Sequence, residues 1–409
     1  MNTIERPLYF DYHATTPVDR RVVEAMLPYF SEKFGNAESH QHAYGWEAKA
    51  AINQARQQVS ELINAQPNEI IFTSGATESI HLALLGFLET QERGSHLITA
   101  STEHKATLEV CTRAKKLGYE ITILDVDSEG RLDVQNLLTA IRPNTVMVSL
   151  MHGNNEIGTL HPIAELGPLL RAKGIVLHVD AAQTAGKHPI DVQKMEIDLL
   201  SISSHKLYGP KGVGALYVRR QPNLASSNCP KHDQQQRPSR IELAALFAGG
   251  GQESGLRGGT HNVPGIVGFG LACEIARREG QVESERLQNE RDRILDILLK
   301  RFPNIELNGP RTSRLCNNIN ITVRDVAADD LIHGLRSIAY SSASACSMGS
   351  GSHVLKAIGK SSVDPFRTTL RFGLGRFNSR EDIDRLIEVL SQTIEKHGKN
   401  SKPIENSAP

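Results

Sequence analysis

Two stretches of this chain end in residue types that can do covalent chemistry together. "VLHVDAAQTAG" (176–186) and "LLSISSHKLYGPKGVG" (199–214) each begin as an apolar run; the first closes on Asp180 and Gln183, the second on Ser203, His205 and Lys206. In an open parallel sheet, ligands bind at the carboxyl ends of strands. A lysine amine placed there can form a Schiff base with an aldehyde, and a carboxylate can keep a pyridine nitrogen protonated so that the ring accepts electrons. Those are the requirements of pyridoxal 5′-phosphate. "FTSGATES" (72–79) supplies a strand, a turn at Gly75 and a helix opening at Ala76 and Thr77, whose free amides and dipole favour a phosphate; Ser203 and His205 could add donors to it. His104, in "STEHKAT", follows another strand, where an imidazole could lie over a ring and exchange protons near neutral pH. Taken singly, each is commonplace: a lysine after a strand is usually a solvated charge, and such a histidine is as often a surface group. Their company gives them weight.

"SSASACSMGSGS" (341–352) adds a lone thiol, Cys346, among serine, alanine and glycine. Free cysteine is usually a buried small hydrophobe, but this segment has almost nothing to bury it against and reads as a loop. The other cysteines (111, 229, 273 and 316) make the total five, odd and without a C-x-x-C pair, which argues against a disulfide framework and against a zinc site. A reducing, cytoplasmic setting fits. "HQH" (40–42) reads as structural, because alternate residues of a strand face opposite ways, so no metal is assigned.

The elements that must hold these residues follow from periodicity. Short Ile- and Val-rich runs alternate with stretches of 3.6-residue spacing from about 69 to 219: "EIIFTS", "HLITAS", "EITILDV", "TVMVSLMH", "IVLHVDAA", "LLSISS" and "VGALYV" are the strands, "KATLEVCTRAKKLG" and "IAELGPLLRAKG" two of the helices. This predicts an α/β fold, a mostly parallel sheet covered on both faces. An amphipathic helix precedes it, with Ala48, Ile52, Ala55, Val59 and Leu62 on one face. Residues 221–240, polar and aperiodic with three prolines, read as a surface excursion. Beyond "AGGGQESGLRGGT" (248–260) the pattern turns to longer helices, the last opened by Ser379 with Asp382 as a capping box. The expected division is a large domain over 15–260 and a smaller α/β domain from 1–14 and 261–409 that carries the cysteine loop. Basic and acidic side chains balance at 46 each, so no general attraction to nucleic acid or an anionic membrane is implied, and no apolar run reaches transmembrane length.

In order along the chain, "YFDYHATTPVD", "FGNAESHQHAYGWEA", "FTSGATES", "TEHKA", "MHGNNEIGT", "HVDAAQTAGK", "SSHKLYGPKGVG", "GGGQESGLRGGT", "SSASAC" and "LRFGLGRF" resemble the signatures of the NifS/IscS-type cysteine desulfurases, which are fold-type I pyridoxal phosphate enzymes. The resemblance implies Lys206 as the Schiff-base lysine, Asp180 under the ring nitrogen, Gln183 near the ring oxygen and His104 stacked on the ring. It implies phosphate contacts from Ala76, Thr77, Ser203 and His205, with Thr260 reaching in from the second subunit of a homodimer. Asn155 and Arg371 would meet cofactor and substrate carboxylate, and Cys346 would take sulfur from L-cysteine and pass it to an acceptor protein. The loop is similar to that of the long-loop subgroup. Residues 221–240 look like an insertion, and the C-terminal tail departs from the aromatic-containing tail with which housekeeping members dock a scaffold. An aminotransferase would share the cofactor residues without needing Cys346. Selenocysteine cleavage would use the same groups, whereas an idle sulfur-carrier protein would have no reason to retain both Lys206 and Asp180.

Overall fold

The computed structural model describes residues 6–220, 241–342, 351–360, 364 and 366–398. Cys346, Cys229, the 221–240 segment and the tail from 399 lie outside these. A short strand, β1 (Leu8–Tyr9), precedes seven strands that form the main sheet: β2 (Ile70–Thr73), β3 (His96–Ala100), β4 (Glu120–Leu124), β5 (Thr145–Met151), β6 (Val176–Asp180), β7 (Leu199–Ser203) and β8 (Gly214–Val218). Their order is β2-β8-β7-β6-β5-β3-β4, and only β8 runs antiparallel to its neighbours.

Both faces of this sheet are covered, so its central strands read as unbroken apolar runs. Leu200 and Ile202 of β7 pack on the face carrying Ala48, Ile52, Ala55 and Val59 of the helix Ala43–Leu62. Leu199 points the other way, toward Leu82, Leu85 and Leu88 of the helix Ala76–Leu88. Each fully buried aliphatic side chain contributes about 1.5–3 kcal/mol.

A second unit is built on a four-stranded antiparallel sheet ordered β12-β13-β10-β9, from β9 (Ile305–Leu307), β10 (Asn318–Arg324), β12 (Ser341–Ser342) and β13 (Arg367–Gly373). β1 pairs in parallel with β11 (Ile338–Ala339), which ties the N-terminal residues to this unit. The helix Arg380–His397 caps it, opened by the Ser379–Asp382 capping box. The 39-residue helix Val263–Arg301 belongs to both units. Its residues up to Ala276 lie in the large core and those from Leu287 in the small one, so one helix serves both cores. At "HQH" the structure departs from the expected strand: residues 40–42 form a turn, and His42 caps the helix Ala43–Leu62 by accepting the Gly45 amide.

Candidate active site

The carboxyl ends of β2, β3, β5, β6 and β7 converge on a cavity of about 540 Å³. Its lining includes Ala76, Thr77, His104, Asn155, Asp180, Gln183, Ser203, His205 and Lys206. A neighbouring cavity of about 240 Å³ shares His104 and Asn155 and adds Arg371 with Ser341 and His353. The small unit thus closes one side of a site that the large sheet builds.

Lys206 ends the short 3-10 turn Ser204–Lys206 that follows β7. Its Nζ donates to the carbonyls of His13 and, at 2.9 Å, Ala14. Burial, then the positive charges of Lys187 and Arg371, lower it to about 8, so a useful fraction is neutral amine near physiological pH. Asp180 ends β6, and its Oδ1 accepts the Ala182 amide at 2.9 Å. Burial pushes its carboxyl up, while that amide, His104 and Lys206 pull it back. His104 caps the helix Lys105–Lys116, its Nδ1 accepting the Ala106 amide at 3.1 Å. The neutral ring therefore carries its proton on Nε2. Burial holds His104 below the ordinary histidine value.

At the other end of the cavity, Gly75 has φ +151° and ψ −179°, a conformation that only glycine adopts readily. An added Cβ would come no closer than 3.9 Å to anything, so conformation and not space selects glycine. The first intrahelical bond runs from the Ser79 amide to the Gly75 carbonyl, and the amides before it have no acceptor in the helix. Glu78 in that first turn is engaged by Arg257 and by the Ser74 amide. Ser203, His205 and Lys211 complete this end. Amides and basic groups at one end, a buried carboxylate at the other and a softened lysine between them fit pyridoxal 5′-phosphate.

Arg371, on β13, donates to Asp11 Oδ1, Ser341 Oγ and the Asn155 carbonyl at 2.9, 2.7 and 3.1 Å. Its Nε is buried without a partner. An unsatisfied guanidinium N–H beside a cavity suits a ligand carboxylate. Gln183 lines the large cavity, but its amide is turned to His13: Nδ1 of His13 donates to Oε1, and Nε2 of Gln183 donates to the His13 carbonyl. Thr260 is exposed and lines neither cavity of its own chain. Three groups are not foreseen by the sequence: the His13 and Ala14 carbonyls that hold Lys206, and Asp11 beside Arg371. They sit in an aperiodic stretch that gives no physical cue to them. Cys111, Cys273 and Cys316 are free and buried. Among the described residues no cluster could hold a metal ion, and no helix is long and apolar enough to cross a membrane.

Residues 8–386 match the family described as Aminotransferase class-V. A "Cysteine desulfurase IscS" of Anaeromyxobacter sp. (strain Fw109-5) is 47% identical over 393 residues, covering 95% of this chain and 93% of that protein. A human "Cysteine desulfurase" is 44% identical over 394 residues, covering 96% and 82%. Among solved structures, a "NIFS-LIKE PROTEIN" superposes with a TM-score of 0.83 at 33% identity, covering 95% of this chain and all of that one. Another, described as "SspA in complex with cysteine", has a TM-score of 0.75 at 38% identity, covering 91% of this chain and all of that one.

Proposed function

This chain belongs to the class-V aminotransferase family and within it to the cysteine desulfurases, and from that premise we propose how its residues take sulfur from L-cysteine and leave L-alanine. The observation that carries the reading is a softened amine, Lys206, in one cavity with buried Asp180, beside an arginine whose Nε has no partner. Bound at Lys206, pyridoxal 5′-phosphate would supply an electron sink for the charge left when the substrate Cα loses its proton.

The residues of the chain do the rest. Arg371 takes the substrate carboxylate, held in place by Asp11, Ser341 and the Asn155 carbonyl. Lys206, neutral in part at pH 7, takes the Cα proton. Asp180 holds the ring nitrogen, while Ala76, Thr77, Ser203 and His205 hold the phosphate. His104, whose Nδ1 is taken by the Ala106 amide, has Nε2 left to give or take a proton at the ring. Cys346, as thiolate, attacks the substrate sulfur: the S–S bond forms, the C–S bond breaks, and Cβ gains a proton. L-Cysteine and one thiol thus become L-alanine and one persulfide. The persulfide is then handed to an acceptor protein, for iron–sulfur cluster assembly or thiolation.

We take the working unit to be a homodimer. Thr260 lies exposed and away from its own cavity, and Phe30, Phe34, Tyr44 and Trp46 are exposed on neighbouring stretches of chain. Sedimentation should give a dimer; a fully active monomer contradicts this. The free, buried thiols support a reducing compartment, the cytoplasm. The direct test incubates the purified protein with L-cysteine and a reducing thiol and assays sulfide and alanine together. Equal amounts are expected; pyruvate and ammonia in place of alanine would exclude desulfuration.

A further inference from the structure

Behind Lys206 stands a second lysine that the reaction above does not use. Lys187 is only 8% exposed, and its Nζ donates to the Lys206 carbonyl at 2.6 Å. It has no ion-pair partner among the described residues. Its own backbone is fixed on both sides: its amide donates to the Thr184 carbonyl at 2.9 Å, and Ser284 Oγ donates to its carbonyl at 2.7 Å. A buried ammonium without a carboxylate partner costs stability, and a neutral side chain could fill the same space without that cost.

We propose that Lys187 is a positioning residue for Lys206, fixing its backbone through the carbonyl and setting a buried positive charge behind its amine. The proposal rests on Lys206 being the lysine that carries the cofactor. The charges that act on the Lys206 amine are those of two cations, Lys187 and Arg371, and two carboxylates, Asp180 and Asp11, and its own charge acts on the imidazoles of His13, His104 and His205. Burial lowers the Lys187 amine itself from the ordinary lysine value, Cys316 and Glu283 draw it back up, and Arg376 adds to the lowering. Like charge disfavours the protonated form, so Lys187 acts with burial to keep the Lys206 nitrogen readily deprotonated. Taking the charge away therefore raises the pH at which that nitrogen loses its proton.

The test is an absorbance titration of the holoenzyme against pH, which follows the proton on the Lys206 nitrogen, in the parent and in Lys187→Met, Lys187→Gln and Lys187→Arg. Glutamine keeps a donor without the charge, and arginine keeps both. The midpoint should rise by about one pH unit in the Met and Gln variants and stay with the parent in the Arg variant. Gln or Met titrating with the parent overturns the proposal. Should the neutral variants not fold, the Arg variant decides alone: a midpoint displaced upward by about half a unit or more overturns it. Borohydride reduction of the parent, with peptide mapping, checks the premise separately, because cofactor fixed on any lysine other than Lys206 refutes the assignment of the site and not the role of Lys187.

Discussion

The proposed recognition of the substrate carboxylate rests on one side chain, Arg371. Its guanidinium spends three of its five N–H donors on Asp11, Ser341 and the Asn155 carbonyl, and the buried Nε has no partner. Arg371→Met should lower kcat/KM for L-cysteine about 10- to 100-fold, the worth of a charge-assisted hydrogen bond, with most of the loss in KM. Arg371→Lys should not restore it, because an ammonium cannot reproduce the planar fork. Steady-state kinetics of the two variants decide this; an unchanged KM in both contradicts it. At this scale the sequence singles out residues whose type has a chemical reason to stand after a strand, as for Lys206, Asp180 and His104, and the fold brings these three to one cavity. It is silent where the backbone does the work. Nothing in the side chains of His13 and Ala14 announces that their carbonyls hold the Lys206 amine.

Among the elements, the strand-to-helix turn at Gly75 carries the tightest requirement. Gly75→Ala would force a Cβ into φ +151°, at a cost of about 1–3 kcal/mol, and would disturb the amides that face the phosphate. The variant should melt at a lower temperature and lose bound cofactor on gel filtration, read as the visible absorbance that stays with the protein. Full retention of cofactor would contradict the role given to this turn. Six of the seven strands of the main sheet are legible because burial on both faces leaves them mostly apolar, whereas the edge strand β4 is half exposed and reads from its Ile and Val content alone. The antiparallel sheet of the small unit was not. In β10, "NINITVR", Ile319, Ile321 and Val323 enter the core, but Asn318, Asn320 and Thr322 on the opposite face are buried too. Asn318 and Asn320 both donate to the Glu156 carbonyl, at 3.0 and 2.9 Å, beside the substrate cavity. Alternation alone would put that polar face in water, and nothing local reveals that Glu156 of the large unit and Asn308 and Thr369 of the small one cover it.

Taken whole, the molecule buries a set of neutral histidines around the catalytic sheet. Burial holds His152 and His178 at about 3 and His161 and His188 at about 4. The unfolded chain, with ordinary histidines near 6.5, binds more protons, so stability is fully present above about pH 6.5 and is lost as pH falls toward the folded values. Each such histidine costs about 1.4 kcal/mol per pH unit within that window. Thermal melts should therefore fall steeply from pH 7 to 5, and a flat profile would contradict the burial of these rings. The same scale explains why the border between the units is not legible in the sequence: the helix Val263–Arg301 is continuous, and only packing shows that its two ends serve different cores. The proposed mechanism stands on sulfur passing through Cys346, and the most direct measurement compares the parent with Cys346→Ser after L-cysteine is added without reductant. Mass spectrometry should find one extra sulfur on Cys346 of the parent and none on the other four cysteines, with alanine formed in equal amount. Cys346→Ser should keep its fold and bound cofactor and still change its absorbance with L-cysteine, yet release only traces of alanine. Undiminished alanine and sulfide from Cys346→Ser would contradict sulfur transfer through this thiol.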